Sequence, residues 1–458
     1  MLSFFPYVQL GIMTSPILWQ NEQKTVTLID IPRSIEAAQG TIPSRHLQST
    51  VPLETPFATN EPKSASAKAK LQRHDIDDSL HAEYHDILRA AIDEVRAAHS
   101  TPWCLPRSFV TETPSISNKR KLNQDTPERG STSQVVQASE ASAVVRGTPG
   151  DPLPHLASAS VKFRHCLATS PNSHLDDVTD RLEHTFSNIP DRATTICAID
   201  NSNKDRNRCS FLVPPGSSFY LGNCADAKPF RDAVREQALV SNERHHFDLI
   251  LLDPPWPNSS VKRTHHTPGS TYATSPSMSE MRNLLLDTKI DLLMAKDCLV
   301  GVWITNRPAV RDLVLGEDCL FECWDVELVE EWIWLKTTVR GEPGSDLDAL
   351  WRKPYEVLLL GRIRQKATTI DREEAEASQK HVKKRVIIAV PDLHSRKPCL
   401  KELIEPLMTD SKKYRALEVF ARCLVAGWWS WGDECIKFNW EGYWREGKRE
   451  RTETSGVH

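Results

Sequence analysis

No GxGxxG turn occurs anywhere in the 458 residues, so the usual glycine cradle for a dinucleotide is absent. The eleven cysteines are odd in number and scattered, and no CxxC pair is present. Cys319 and Cys323 stand as CxxxC, with no second pair or histidine at zinc-finger spacing. Reduced thiols, as in the nucleus or cytosol, follow from that pattern. His245-His246 and His265-His266 lack third and fourth ligands at suitable spacing, so no metal is expected. The formal net charge of −4 excludes a basic coat, and any contact with nucleic acid must be local. No apolar run is long enough to span a bilayer, and Met1–Pro6 lacks the basic flank of a signal peptide. No internal repeat is found.

What is there falls into five stretches. Residues 1–103 read as an N-terminal accessory region. It holds short strands at Ile17–Gln20 and Thr25–Asp30, a helix opening at Pro32, and an amphipathic helix over His81–Ala98 with apolar residues at the 3.6 period. Residues 104–160 are rich in Ser, Thr, Pro, Gln and Ala and are expected to be disordered, because so few large apolar groups cannot offset the entropy of ordering. The cluster Lys119-Arg120-Lys121 inside them is either a nuclear-import address or a solvated charge run. Residues 161–208 are a connecting segment without a clear pattern. Residues 209–445 alternate strand and helix patterns, which predicts an α/β layer architecture, and 446–458 are a charged tail. Within the α/β part, Ser277-Met278-Ser279-Glu280 has capping-box spacing, and a helix is expected at Pro398–Met408. The stretch from Leu417 leads into a turn ending at Gly432-Asp433-Glu434.

One stretch carries chemistry. Phe247-Asp248-Leu249-Ile250-Leu251-Leu252 has the length of a buried parallel strand and runs into Asp253-Pro254-Pro255-Trp256. The prolines cannot donate ladder bonds, so the strand stops there and Asp253 lies at its carboxyl end, where open α/β sheets bind ligands. An exocyclic aromatic amine such as N6 of adenine is a poor nucleophile, because its lone pair is delocalised into the ring. A carboxylate accepting one N–H and a prolyl carbonyl accepting the other would free that lone pair. Trp256 offers a face on which a base could stack.

The tetrad is followed, in order, by Trp303-Ile304-Thr305-Asn306-Arg307, Trp334-Leu335-Lys336, Ser395-Arg396-Lys397-Pro398, Glu418-Val419-Phe420-Ala421-Arg422 and Trp431-Gly432. Together these resemble the MT-A-seventy family of N6-adenine methyltransferases, nearest its methyltransferase-like protein 4 branch. The resemblance covers roughly Cys209 to Trp444, and Ile17–Gln39 is similar to the branch's start. It implies a Rossmann-like S-adenosylmethionine-dependent methyltransferase fold in permuted order, with the Asp253 strand before the cofactor strand. Asp253, Pro254 and the Trp256 ring would bind the target amine and base, with Pro255 completing the tetrad. Tyr272 would lie against the adenine, and Glu356 beside the substrate nucleoside. Asn258, Lys262, Arg263, Trp334 and Lys336 complete the substrate side. Lys397, with Ser395 nearby, would meet the cofactor's ribose or carboxylate, while Arg422, Gly432, Asp433 and Glu434 would hold its ribose hydroxyls and methionine end. Asn223 falls where the family often has an Asp reading the cofactor's adenine, and Asp433 where Asn is usual. Retention of Asp253 favours an active member.

The implied substrate is nucleic acid, RNA before DNA, with 2′-O-methylated adenosine of small nuclear RNA as the family's example. No membrane contact is expected, a protein partner is not required, and the nucleus is the expected location. The rivals are a catalytically silent RNA-binding scaffold and an aminomethyltransferase acting on cytosine N4 or a protein amide. Glu356 also reads as an ion-pair partner of Lys353, and Trp303, Trp334 and Trp431 as core. If Lys262 and Arg263 meet phosphates, reversing both charges weakens RNA binding and flattens its dependence on salt. Titrations of RNA at several salt concentrations check this, and an unchanged slope rejects it.

Overall fold

The computed structural model describes residues 15–40, 45–58, 78–109, 161–166, 181–182, 185–188, 190–200, 208–257, 277–349, 353–364, 382–393 and 396–446. Asn258, Lys262, Arg263, Tyr272, Ser395 and the Lys119–Lys121 cluster lie outside the described residues, as do 110–160.

One sheet organises the molecule. Its strands are β1 Ile17–Gln20, β2 Val26–Ile29, β3 Thr185–Ser187, β4 Ser218–Leu221, β5 Phe247–Leu252, β6 Met294–Ile304, β7 Val326–Lys336, β8 Tyr355–Ile363, β9 Lys383–Ala389, β10 Ala416–Val419 and β11 Trp428–Gly432. They stand in the order β1-β2-β9-β7-β8-β6-β5-β10-β11-β4-β3. All run parallel except β1 and β3 at the edges and β8, which lies antiparallel between β7 and β6. The sheet is therefore mixed and mostly parallel, as an α/β layer fold requires.

Both faces are covered, which is what near-continuous apolar strands call for. In β5, Phe247, Ile250 and Leu252 point into one core and Leu249 and Leu251 into the other. The first core is filled by α2 (Asp78–Ala98), α3 (Ala227–Ser241), α4 (Met278–Asp287) and α5 (Pro308–Leu315) through Leu88, Val234, Leu285 and Val310. The second is capped by α1 (Ile31–Ala38) through Ile31, Ile35 and Ala38, and by the short helix Lys401–Ile404. Asp30 caps α1, accepting from the Arg33 N–H at 2.9 Å, with Pro32 in the first turn where a missing donor costs nothing. Ser277 caps α4 as its spacing suggests, accepting the Glu280 N–H at 3.1 Å, and its hydroxyl donates to the Glu280 carboxylate at 3.0 Å.

Several elements differ from the sequence expectation. The stretch read as a turn before Gly432 is strand β11, buried along its whole length. Helix α3 escapes a periodicity reading because its buried stripe is only Ala227, Phe230, Val234 and Ala238 among charged neighbours. The helix expected at Pro398–Met408 shrinks to Lys401–Ile404 and a 3-10 turn. The N-terminal strands are built into the main sheet, β2 pairing in parallel with β9, so this region is part of the same body. Leu47 likewise pairs with Trp444, joining the two ends of the described chain.

Helix α2 is seated by a buried polar contact as well as by its apolar stripe. The Tyr84 hydroxyl donates to Glu331 at 2.7 Å and accepts from Arg311 at 3.2 Å, and Arg311 is ion-paired with Glu331. Removing the hydroxyl leaves one oxygen of a buried carboxylate without its partner. Tyr84→Phe is expected to lower the unfolding free energy by about 1–3 kcal/mol. Urea unfolding checks it, and an unmoved midpoint would show that α2 is held by packing alone.

Candidate active site

The parallel strands all deliver their carboxyl ends to one edge of the sheet. Asp253 leaves β5 there, with its backbone N–H on the Val419 carbonyl of β10 at 3.4 Å. The loop that follows is anchored three times. Trp256 N–H bonds Pro254 O at 2.8 Å, the Trp256 indole donates to Trp303 O at 2.8 Å, and Arg307 donates to Pro257 O. Trp256 is 8% exposed and belongs to the first core, and its indole bond pins the loop.

The antiparallel strand β8 explains how Glu356 reaches the same edge. Because β8 runs backwards, its first residues, not its last, lie beside the carboxyl ends of β7 and β6, and Glu356 pairs with Trp334 in the ladder. Lys336 ends β7 and donates to one Glu356 oxygen at 2.5 Å. Lys397, from the segment after β9, donates to the other at 2.6 Å and lies 3.4 Å from Asp253 Oδ1. Charges thus alternate along the edge: Asp253, Lys397, Glu356, Lys336. Trp303 and Trp334 floor the row, with Lys397 Nζ 5.0 Å and 5.7 Å from their ring centres and Lys336 Nζ 4.7 Å above Trp334. These tryptophans are core residues and also the aromatic bed of the lysines. Lys353, the alternative partner for Glu356, instead contacts His81 and Leu347 O.

Alternation fixes the protonation states. Burial works to raise the Glu356 carboxyl, but the ammonium groups of Lys336 and Lys397 overcome it and hold the acid well below its usual range. Burial works against the charge of Lys397 too, yet Asp253 and Glu356 hold it protonated well above its usual range. Glu356 and Lys397 therefore stay charged across the physiological span of pH.

Beside it opens a cleft bounded by Asp253, Trp303, Lys397, Glu418, Phe420 and Arg422. Burial, reinforced by Asp253 and opposed by Lys397, pushes the Glu418 carboxyl up to about 8. Phe420 takes a left-handed backbone, φ +59°, a strained conformation for an aromatic residue. Gly432, φ +154°, lies against it, and a Cβ there would sit 3.3 Å from Phe420 Cα. Arg422 is held by Glu434 at 3.2 Å, and Glu434 also takes Lys437 at 2.8 Å. Burial and Glu434 push the Asp433 carboxyl up. Asn223 follows β4, exposed, its side-chain oxygen accepting from the Ala225 N–H at 2.9 Å. The ends of β5, β10, β11 and β4 stand side by side, so Asp253, Arg422, Gly432–Glu434 and Asn223 span roughly 14 Å at the usual strand spacing. Among the described residues no cluster could hold a metal ion, and Cys224, Cys399, Cys423 and Cys435 are free thiols.

The amino-acid sequence itself matches that of known proteins. The MT-A70 family pattern covers residues 247–434. The chain is 31% identical over 441 residues to the N6-methyladenosine RNA methyltransferase MTA1 of Cryphonectria parasitica, spanning 94% of both chains. The chain belongs to the MT-A70 family. Over about half its length it is 36% identical to the human N(6)-adenine-specific methyltransferase METTL4, covering 44% of that protein. A Caenorhabditis elegans DNA N6-methyl methyltransferase is 31% identical over 239 residues.

The MT-A70 pattern spans the Asp253 loop, Lys336, Glu356, Lys397 and Arg422, the residues that the structure brings together. It does not reach Ile35, Ala38 and Gln39, which also line the cleft and which the sequence reading missed. Glu418 was missed as well, although it shares the signature of Asp253, an acid late in an apolar strand. Glu418 yields a test. Its folded-state value lies above the ordinary 4.5, so its protonated form stabilises the fold fully below that value, and this is lost as pH rises through about 8. The melting temperature of the ligand-free protein is expected to fall from pH 6 to 9 less steeply in Glu418→Gln than in wild type. Parallel curves would refute the buried-acid assignment.

Proposed function

We propose that the protein is an S-adenosylmethionine-dependent methyltransferase that places a methyl group on N6 of adenine in nucleic acid, RNA favoured over DNA. The observation that carries this reading is Asp253, fixed at the end of β5 and held by the charged Lys397 at the mouth of a cleft. Resemblance over nearly full length to a protein named as an RNA methyltransferase supports RNA, and adenosine carrying a 2′-O-methyl group in small nuclear RNA is the finer proposal. Asp253 on β5 precedes β10 and β11 in the chain, which fits a permuted methyltransferase order.

The cleft suits the donor in its chemistry. Asp253 can accept from an ammonium, Lys397 and Arg422 can meet a carboxylate, and Glu434 and Asp433 can accept from ribose hydroxyls. Gly432 leaves room where a side chain would press on Phe420. S-adenosylmethionine, when bound, supplies a methyl group on an electrophilic sulfonium.

The chain's own groups do the rest. Lys397 orients one oxygen of Asp253, and the remaining lone pairs accept one N–H of the target amine. The Pro254 carbonyl already takes the Trp256 N–H but keeps a second lone pair for the other. Both contacts draw the nitrogen towards tetrahedral geometry, and its surplus proton passes to Asp253 or water. Alignment supplies most of the rate, an effect that reaches roughly 7–11 kcal/mol in well-oriented pairs. A paired target base must leave its stack at a cost of about a few kcal/mol, so single-stranded or unpaired adenines are favoured.

The test is to incubate the protein with labelled donor and a panel of RNA and DNA oligonucleotides, then identify the modified nucleoside by mass spectrometry. N6-methyladenosine is expected, and Asp253→Ala is expected to lower turnover by about 100-fold or more, the scale of losing a preorganised hydrogen-bonding group. A folded Asp253→Ala with near wild-type methylation would remove the catalytic assignment.

A further inference from the structure

The cleft has a wall drawn from far outside the family-matched residues 247–434. Ile35 and Ala38 of α1, and Gln39 at its end, line the same space as Asp253 and Lys397. Gln39 is completely buried, and its amide is fully used. Its nitrogen donates to Leu424 O at 2.8 Å and to Ile35 O at 3.2 Å, while its oxygen accepts from Asn439 Nδ2 at 2.8 Å. Asn439 in turn accepts the Leu424 N–H at 2.6 Å. Both backbone polar groups of Leu424 are thus held by two side chains that also hold each other. A further bond runs from the Ala426 N–H to Ala38 O at 2.8 Å.

Leu424 sits in the middle of the irregular connection between β10 and β11, two residues after Arg422. That connection has no regular ladder of its own, so something outside it must fix its shape. Buried amides with every group satisfied specify one arrangement, and removal of one member leaves the others unpaired in a low dielectric.

We propose that Gln39 is a positioning residue for donor binding. It locks the 421–427 turn so that Arg422 and the adjoining cleft wall meet S-adenosylmethionine in one geometry, without touching the reacting atoms. This rests on the donor reading above, and the N-terminal segment becomes part of the donor site.

The experiment uses the full chain with Gln39→Met, which keeps the length of the side chain and loses its hydrogen bonds. Two measurements are made: hydrogen exchange of the ligand-free protein, and calorimetric binding of S-adenosylhomocysteine followed by steady-state kinetics. Exchange in 421–427 is expected to quicken by about tenfold or more, the scale of leaving a buried hydrogen-bonding group unpaired, while β5 and β6 stay protected. S-adenosylhomocysteine affinity is expected to fall by a similar factor, with the defect concentrated in the donor KM over the RNA KM and kcat. Unchanged exchange in the turn overturns the proposal, as does unchanged affinity in a folded variant. An equal fall in every kinetic constant with general loss of protection also overturns it, since that marks a merely structural role. If Gln39→Met does not fold, Gln39→Asn, which keeps an amide too short to bridge Leu424 and Asn439, takes its place with the same expected outcomes. If wild type binds no S-adenosylhomocysteine, the donor reading has failed, and the positioning of the turn stands or falls on the exchange data.

Discussion

Lys397 sits between Asp253 and Glu356, and the rest of the site follows from that contact. A lone carboxylate at the mouth of an apolar cleft would be costly to keep charged, and a lone ammonium equally so. Placed in a row with Lys336, each charge has an opposite neighbour, and Glu356 stays ionised despite its burial. Removing Lys397 would take away the opposite charge beside Asp253, and removing Glu356 would take away the one beside Lys336. The aromatic bed of Trp303 and Trp334 gives the ammonium groups a second favourable surface without adding another titrating group.

The row depends in turn on a feature of the sheet. Had β8 run parallel with its neighbours, its first residues would lie at the opposite edge, far from the carboxyl end of β5. Its reversal between β7 and β6 carries Glu356 to the functional edge and places it beside Lys336. Both faces of the central strands are closed by apolar packing, so the strand ends are where polar side chains can gather. The fold and the chemistry are therefore linked through strand direction rather than through any single residue.

The sequence made one half of this legible. The apolar run ending in Asp253-Pro254-Pro255-Trp256 announces its strand, its stop and its acid, because prolines and strand length are local signals. The helices at Ile31–Ala38 and Met278–Asp287 were readable from a proline and a cap for the same reason. What was not legible is what depends on partners distant in sequence. The anchoring of the Trp256 indole depends on the Trp303 carbonyl, 47 residues away. The choice of Lys336 and Lys397 over Lys353 as partners of Glu356 is set by ladder register. Gln39 carries no local mark at all, since a glutamine after a helix is ordinarily a solvated one.

A further set of distant contacts joins residues 39–48 to residues 396–444. Gln39 meets Leu424 and Asn439, Gln48 accepts from Arg396, and Leu47 pairs with Trp444. Arg396 and Asp392, an ion pair with almost no exposed side-chain surface, lie just before Lys397, so the same junction steadies the segment that delivers the central ammonium. Closing so long a stretch of chain costs entropy that grows only slowly with its length, so the length of the intervening chain bears little on the cost of the junction. The N-terminal strands and helix then do for the Arg422 side of the cleft what β8 does for the Asp253 side. Each brings a polar group to the edge from a direction that the parallel strands cannot supply.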